Sequence, residues 1–204
     1  NLNRDMNGEK QEGVGNYQIT THRGQRMSAS RAYLWPIKGR TNLTVINNAL
    51  ASRVLIKDKK AYGVEYLKSG KTQQVFAKCE VILSAGSINS PQLLQLSGVG
   101  PKSILEQASV PLIHESPAVG ENLQDHLGVS YFYKSKVPTL NDQLRPVLGK
   151  IYQGLRYIFT RSGPLSLSVN QSGGFIRTRN DLEKPNIQLY FSPVSYSLES
   201  PDKR

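Results

Sequence analysis

The stretch EVILSAGSINSPQLLQLSGVG, from Glu80 to Gly100, decides the fold of this chain. Its first six residues are an almost unbroken apolar run, typical of a strand buried on both faces of a parallel sheet. The run passes through glycine and small polar residues into Gln92–Leu96, which has helical spacing. Ser90 is the predicted N-cap, Pro91 the first helical residue and Gly98 the end of the helix. We therefore predict a strand–turn–helix unit of an α/β fold.

Four short β-rich runs separated by turn signals precede this unit and predict an antiparallel meander. They are Leu43–Ile46, Ala51–Ile56, Tyr62–Leu67 and Gln74–Phe76. After the unit we predict a second short helix, Pro101–Ala108, and a small strand, Leu112–His114.

The character of the chain changes beyond His126. A β-run, Val129–Tyr133, precedes a long predicted helix between about Asn141 and Thr160, and two further β-runs follow at Gly174–Arg177 and Ile187–Ser192. One face of the long helix carries an apolar stripe, which we interpret as core packing. The stripe consists of Leu144, Val147, Leu148, Ile151, Leu155, Ile158 and Phe159.

The composition is that of a folded protein with a strong positive charge, a formal +11 at pH 7. Lysines and arginines are scattered along the chain, which favours a solvated face over a nucleic-acid surface. A non-catalytic basic module that binds nucleic acid or another anionic partner is the alternative class. The apolar stretches are too short to predict a transmembrane helix. The only cysteine, Cys79, is predicted to be a buried structural thiol.

A strand that turns into a helix at Ser84–Ala85–Gly86 can present backbone N–H groups and a helix dipole to an electronegative ligand. A tight turn with no ligand explains the same residues equally well. No strand followed by GxGxxG occurs in the chain, and Gly86–Ser90 does not have the serine spacing of a hydrolase elbow.

Over its whole length, Gly86–Gly100 closely resembles the second signature of the glucose–methanol–choline (GMC) oxidoreductases, flavoproteins that oxidise alcohols to carbonyls. The resemblance extends from roughly residue 12 to residue 180, and the branch resembled is that of choline and alkanol dehydrogenases. Four further segments carry it, namely Gly24–Leu34, Gly63–Tyr66, Glu80–Gly86 and Val119–Leu127.

This resemblance implies a mixed α/β and α+β architecture. It implies that residues 1–126 form part of an FAD-binding, Rossmann-like domain, with the substrate domain as the alternative place for residues about 12–30. Residues 127–204 would then form part of the substrate domain, built on a largely antiparallel sheet with helices. In the family a hydride passes from the alcohol carbon to FAD, and a histidine near the C-terminus acts as the base.

Four residues are candidates for cofactor binding by this resemblance. Ala51 matches the position whose backbone contacts the adenine, and Ala85, Gly86 and Ser87 are expected near the cofactor. We assign no catalytic residue and no metal ligand, because the histidines of the chain are interpreted as structural. The pyrophosphate loop is expected upstream and the catalytic histidine beyond Arg204, so the isolated chain is expected to be inactive and not to retain FAD.

The implied substrate is a small primary alcohol that is oxidised to an aldehyde, and no nucleic-acid partner is expected. The electron acceptor, oxygen or a quinone, is left open, and the expected location is the cytoplasm or the inner membrane surface. No Asp or Glu lies between Pro164 and Phe175, where we look for a carboxylate in the choline-oxidising members. A buried quaternary ammonium needs an anion or an aromatic cage, so the sequence favours a neutral alcohol over choline.

Overall fold

The computed structural model describes residues 1–194, which fall into two units. One unit contains Asn1–Arg40 and the chain from Ser130 onward, and the other is Thr41–Val129. The assignment of residues 1–126 to a cofactor part and of residues 127–204 to a substrate part stays a prediction.

The strands in chain order are β1 Gly13–Asn16, β2 Thr21–His22, β3 Gln25–Arg26, β4 Leu50–Lys57, β5 Lys60–Lys68, β6 Lys71–Phe76, β7 Val99–Gly100, β8 His114–Glu115, β9 Ser172–Ile176 and β10 Ile187–Phe191. The α-helices are α1 Gly86–Leu96, α2 Lys102–Gln107, α3 Leu140–Leu144 and α4 Val147–Thr160. Short 3-10 or π turns lie at Ser30–Leu34, Trp35–Ile37 and Pro164–Ser166.

The meander predicted before α1 is confirmed as an antiparallel sheet in the order β4–β5–β6. Both hairpin turns use two residues with positive φ, Asp58–Lys59 at 50° and 61° and Ser69–Gly70 at 50° and 74°. Paired positive φ values match the twist of the flanking strands, so each short loop fixes the register beside it. The predicted strand Leu112–His114 is displaced to β8, which pairs in parallel with β7.

Three predicted strands are wrong. The runs 43–46, 80–85 and 129–133 form no strand, and Ile82 is 75% exposed. A parallel strand needs neighbours from distant parts of the chain, and no described residues pair with these runs. Cys79 is likewise exposed instead of buried, because the segment that follows it is not a covered strand.

Helix α1 begins five residues earlier than predicted, at Gly86 instead of Pro91. Gly86 has φ +92°, a conformation open to glycine, and it lets the chain enter the helix directly after Ala85. Ser90 is therefore inside the helix and is not its N-cap, and Pro91 is interior as well. The end is as predicted, since Gly98 has φ +81° and donates its N–H to the Gln95 carbonyl at 2.9 Å.

The long helix predicted after His126 is two helices, α3 and α4, separated at Arg145–Pro146. Proline has no N–H to continue the helical hydrogen bonds, which explains the break. The stripe on α4 is not core packing. The stripe residues on α4 are 50–80% exposed, whereas the Gln153 side chain is buried, with 7% of the residue exposed. These stripe residues are Val147, Leu148, Ile151, Leu155, Ile158 and Phe159.

The remaining unit is organised by the antiparallel sheet β1–β9–β10, which confirms the last two predicted β-runs with small shifts in their bounds. Tyr17 packs edge-on against Phe175 and donates its hydroxyl to the Leu189 carbonyl at 2.6 Å. A side chain at Gly173 would collide with both the Tyr17 ring and the Leu189 carbonyl, so glycine is required there. In the other unit the buried apolar residues are Val54, Leu55, Leu93 and Leu105.

Candidate functional site

The start of α1 is an uncapped helix N-terminus. No side chain caps it, and no acidic residue lies in its first turn. Ser90 accepts a hydrogen bond from the Ala85 N–H at 3.0 Å, so the serine holds the residue before the helix and leaves the amides of the first turn to other partners. Because helix N-termini carry partial positive charge, this end favours an electronegative ligand.

The surroundings of Gly86 give such a ligand room. Ala85, Gly86 and Ser87 are all exposed. A Cβ built at Gly86 meets no other atom within 4 Å, so the backbone can be approached closely on that side. These two features are compatible with a cofactor that lies against the backbone at this turn, as the family resemblance implies for these three residues.

Ala51 lies elsewhere, in β4, where it pairs with Tyr66 of β5. The register shifts between Ala51 and Arg53, so Ser52 forms a bulge directly after the candidate residue. Bulges re-aim neighbouring side chains and bend a strand. Within residues 1–194, no hydrogen bond joins Ala51 to Ala85–Ser87. Three of the four candidates therefore lie together at the start of α1, and the fourth lies on the neighbouring sheet.

A buried hydrogen bond fixes α1 on that sheet. Ser97, at the C-terminal end of the helix, accepts the Val54 N–H of β4 at 2.7 Å and donates to the Leu93 carbonyl at 2.5 Å. Only 4% of Ser97 is exposed. The contact holds the end of α1 that lies opposite the candidate residues against β4.

A polar cluster beside the bulge was missed by the sequence reasoning. Arg53 Nε lies 3.0 Å from a Glu65 carboxylate oxygen, and the same carboxylate accepts a hydrogen bond from Gln74 at 3.1 Å. The Arg53 hydrogen bond, followed by that of Gln74, holds the pKa of Glu65 below its usual range. Arg53 and Glu65 face each other across β4 and β5, so correct strand pairing would have revealed them.

The histidines are not assembled into a centre. His22, His114 and His126 are all exposed, and His126 bonds to Asp125 through its backbone N–H at 2.7 Å and not through its ring. Within residues 1–194, no group of three or more histidine, cysteine or acidic side chains is placed to hold a metal ion. The helices of this part of the chain are also too short or too polar to cross a membrane.

Comparison with curated proteins gives close relatives. An oxygen-dependent choline dehydrogenase of Photobacterium profundum is 48% identical over 192 residues, which are 94% of this chain and 34% of that protein. An alcohol dehydrogenase [acceptor] of Pseudomonas putida is 42% identical over 196 residues, which are 95% of this chain and 36% of that protein. The chain thus spans about a third of the length of the curated relatives it matches.

Several solved structures of oxidoreductases are also similar to this chain. A formate oxidase superposes with a TM-score of 0.81 at 26% identity over 96% of this chain and 38% of its own. An FAD-dependent oxidoreductase from Chaetomium thermophilum gives a TM-score of 0.73 at 30% identity over 85% of this chain and 32% of its own. The family model described as GMC oxidoreductase matches residues 1–128, and the chain belongs to the GMC oxidoreductase family.

Proposed function

We propose that this chain is a section of a flavoprotein that oxidises a primary alcohol to an aldehyde, with the start of α1 in contact with FAD. The observation that supports the proposal is the uncapped, exposed helix start at Gly86, in a chain of this family. FAD accepts the hydride in such a reaction, and the protein binds and orients it.

The residues at the start of α1 have separable roles in this proposal. Gly86 removes the side chain that would block the cofactor, and the amides of the first helical turn donate to its electronegative atoms. The helix dipole favours negative charge at the same place. Ala51 offers its backbone to the adenine part.

The finer proposal for the substrate is a neutral primary alcohol. The segment 164–175 carries no carboxylate to neutralise a trimethylammonium group. Two acids of the same unit are already engaged, since Glu12 is paired with Arg177 at 2.8 Å and Asp142 accepts two hydrogen bonds from Thr139. Several relatives are named choline dehydrogenases, so choline is the competing substrate. By the same resemblance we place the complete protein in the cytoplasm or at the inner membrane surface.

The test of the cofactor site uses the complete protein that contains this chain, with Gly86→Ala as the variant. Gly70→Ala is a matched control, because both glycines have positive φ and open space at the Cβ position. Gly86→Ala is expected to lower the flavin bound per chain and the alcohol-dependent reduction of an artificial acceptor, whereas Gly70→Ala carries the same backbone strain and keeps both. Equal flavin content in the two variants would contradict the site.

The test of the substrate compares choline with a series of neutral primary alcohols in the same assay. A higher kcat/KM for a neutral alcohol supports the proposal, and a higher value for choline overturns it. A complete protein that binds no flavin but binds nucleic acid with strong salt dependence would instead support the basic binding module.

A further inference from the structure

Three arginines from separate parts of the chain line one cleft of about 460 Å³ in the unit that contains Asn1–Arg40. We call it the arginine cleft and define it by Arg23, Arg31 and Arg161 together with His22 and Trp35. No carboxylate lines it. Its volume is in the range of small-molecule sites.

The contact between a hairpin turn and the end of α4 brings two of these arginines together. Arg23 and Gly24 form the turn between β2 and β3, both with positive φ, and the Tyr157 hydroxyl of α4 donates to the Gly24 carbonyl at 3.0 Å. A Cβ at Gly24 would collide with the Arg161 carbonyl, so the turn approaches the helix end as closely as a glycine allows.

Two of the guanidinium groups are held in place by neighbours that leave their charge intact. Arg31 donates to the Gln25 side-chain oxygen and lies 5.7 Å from the Trp35 ring centroid. Arg161 lies 5.2 Å from the Tyr157 ring centroid. Amide and aromatic partners orient a guanidinium without neutralising it.

The cleft therefore carries uncompensated positive charge. Within residues 1–194, neither Arg23, Arg31 nor Arg161 has a carboxylate oxygen within 4.0 Å of its side-chain nitrogens. Like charges gathered in one cleft repel one another, and a bound anion relieves that repulsion. Guanidinium groups pair with phosphate through two parallel hydrogen bonds, and a phosphate offers the multiple negative charges that three arginines can match.

We infer that the arginine cleft binds a small phosphate-bearing molecule. The inference is independent of the proposed oxidation, because no residue of the cleft is a candidate cofactor-binding residue. The size of the cleft favours a small ligand over a nucleic acid, which would need a longer basic surface.

The cleft has its own reporter, because Trp35 is the only tryptophan of the chain. Titration of the 204-residue chain with inorganic pyrophosphate and with ADP at constant ionic strength is expected to give a saturable change in tryptophan fluorescence. Arg31→Gln and Arg161→Gln are each expected to weaken binding roughly tenfold, the usual worth of a charge-assisted hydrogen-bond pair. Arg31→Lys keeps the charge but not the planar fork, so its loss should be smaller but measurable.

The control is Arg40→Gln, which removes one exposed positive charge outside the cleft and should leave binding unchanged. Circular dichroism and melting curves of each variant establish that it is folded before binding is compared. The inference is overturned if the unaltered chain gives no saturable change, or if Arg40→Gln weakens binding as much as the cleft variants do. It is also overturned if only duplex DNA binds and the cleft variants bind it normally.

Discussion

The meander β4–β6 and the run Glu80–Ala85 are close in the chain and were both predicted to be extended, but only the meander is hydrogen-bonded as a sheet. Each strand of the meander meets its partner through a turn of two residues, so pairing is local. A parallel strand finds its partners only through long connections. Residue composition therefore predicted extended backbone in both regions, and the availability of a nearby partner distinguishes the region that forms a sheet from the one that does not.

The largest effect on stability is expected at Gly63, where the meander leaves no room for a side chain. Gly63 of β5 is buried, and a Cβ there would lie 2.5 Å from the Val75 carbonyl oxygen of β6. Gly63→Val should lower the free energy of unfolding by about 3 kcal/mol because backbone must move to admit the side chain. Chemical denaturation measures the loss. Gly39→Val is the control, since nothing lies within 4 Å of its Cβ position, and equal losses would contradict the assigned packing.

The next effect concerns the link between the meander and α1. Ser97→Ala removes the buried acceptor of the Val54 N–H, which leaves an unpaired donor and should cost about 2 kcal/mol. Ser103→Ala, at an exposed position of α2, should stay within about 0.5 kcal/mol. A Ser97→Ala protein as stable as the Ser103→Ala protein would show that the helix is held on the sheet without this bond.

A smaller effect depends on pH. The Arg53 and Gln74 hydrogen bonds lower the pKa of Glu65 below its ordinary value of 4.5. A lowered folded-state pKa stabilises the fold above the ordinary value, and that contribution is lost as the pH falls through the folded-state pKa. Glu65→Gln should therefore lower Tm at neutral pH, and the difference from the unaltered chain should shrink in acid.

Glu80→Gln is the matched control, because it removes a carboxylate from the unpaired run. Glu80 is exposed and has no ion pair within residues 1–194, so its replacement should leave Tm unchanged at both pH values. A pH-independent Tm difference for Glu65→Gln would mean that the carboxylate charge does not stabilise the meander.

The smallest effect is expected in the run itself. Ile82→Ser should change the free energy of unfolding by less than about 0.5 kcal/mol, because the side chain is already 75% exposed. Leu55→Ala in β4 is the contrast, with an expected loss of about 3 kcal/mol from a site only 7% exposed. Comparable losses at the two sites would show that the run is packed in solution as the meander is.

Local pairing also distinguishes the parts of the fold that could be predicted from those that could not. The meander, α2 and the last two strands follow from local patterns and turns. The start of α1 differs from the prediction because the positive φ of Gly86 lets the helix begin there, whereas the capping preference of Ser90 indicates a later start. Pro146 is a helix-breaking signal in the sequence, but the helical spacing of apolar residues on both sides of it predicts one continuous helix.

The candidate cofactor site and the arginine cleft also differ in how far apart their residues lie in the sequence. Ala85, Gly86 and Ser87 are consecutive, so the sequence could place them in one turn between the apolar run and the helix, although it predicted that the helix begins only at Pro91. The arginine cleft joins residues near position 30 to Arg161, and neither periodicity nor motif spacing brings such distant residues together. The contact of Tyr157 with Gly24 that assembles the cleft is visible only in three dimensions.

The unpaired run has a further consequence for the behaviour of concentrated protein. Val81–Ala85 combines apolar side chains with backbone groups outside any ladder, and no charged residue occurs between Glu80 and Lys102. Uncharged segments of this kind are templates for strand addition between molecules, which leads to aggregation. Lys78 and Glu80 flank the segment at one end and Pro91 interrupts it at the other, so we expect these three residues to oppose aggregation through it.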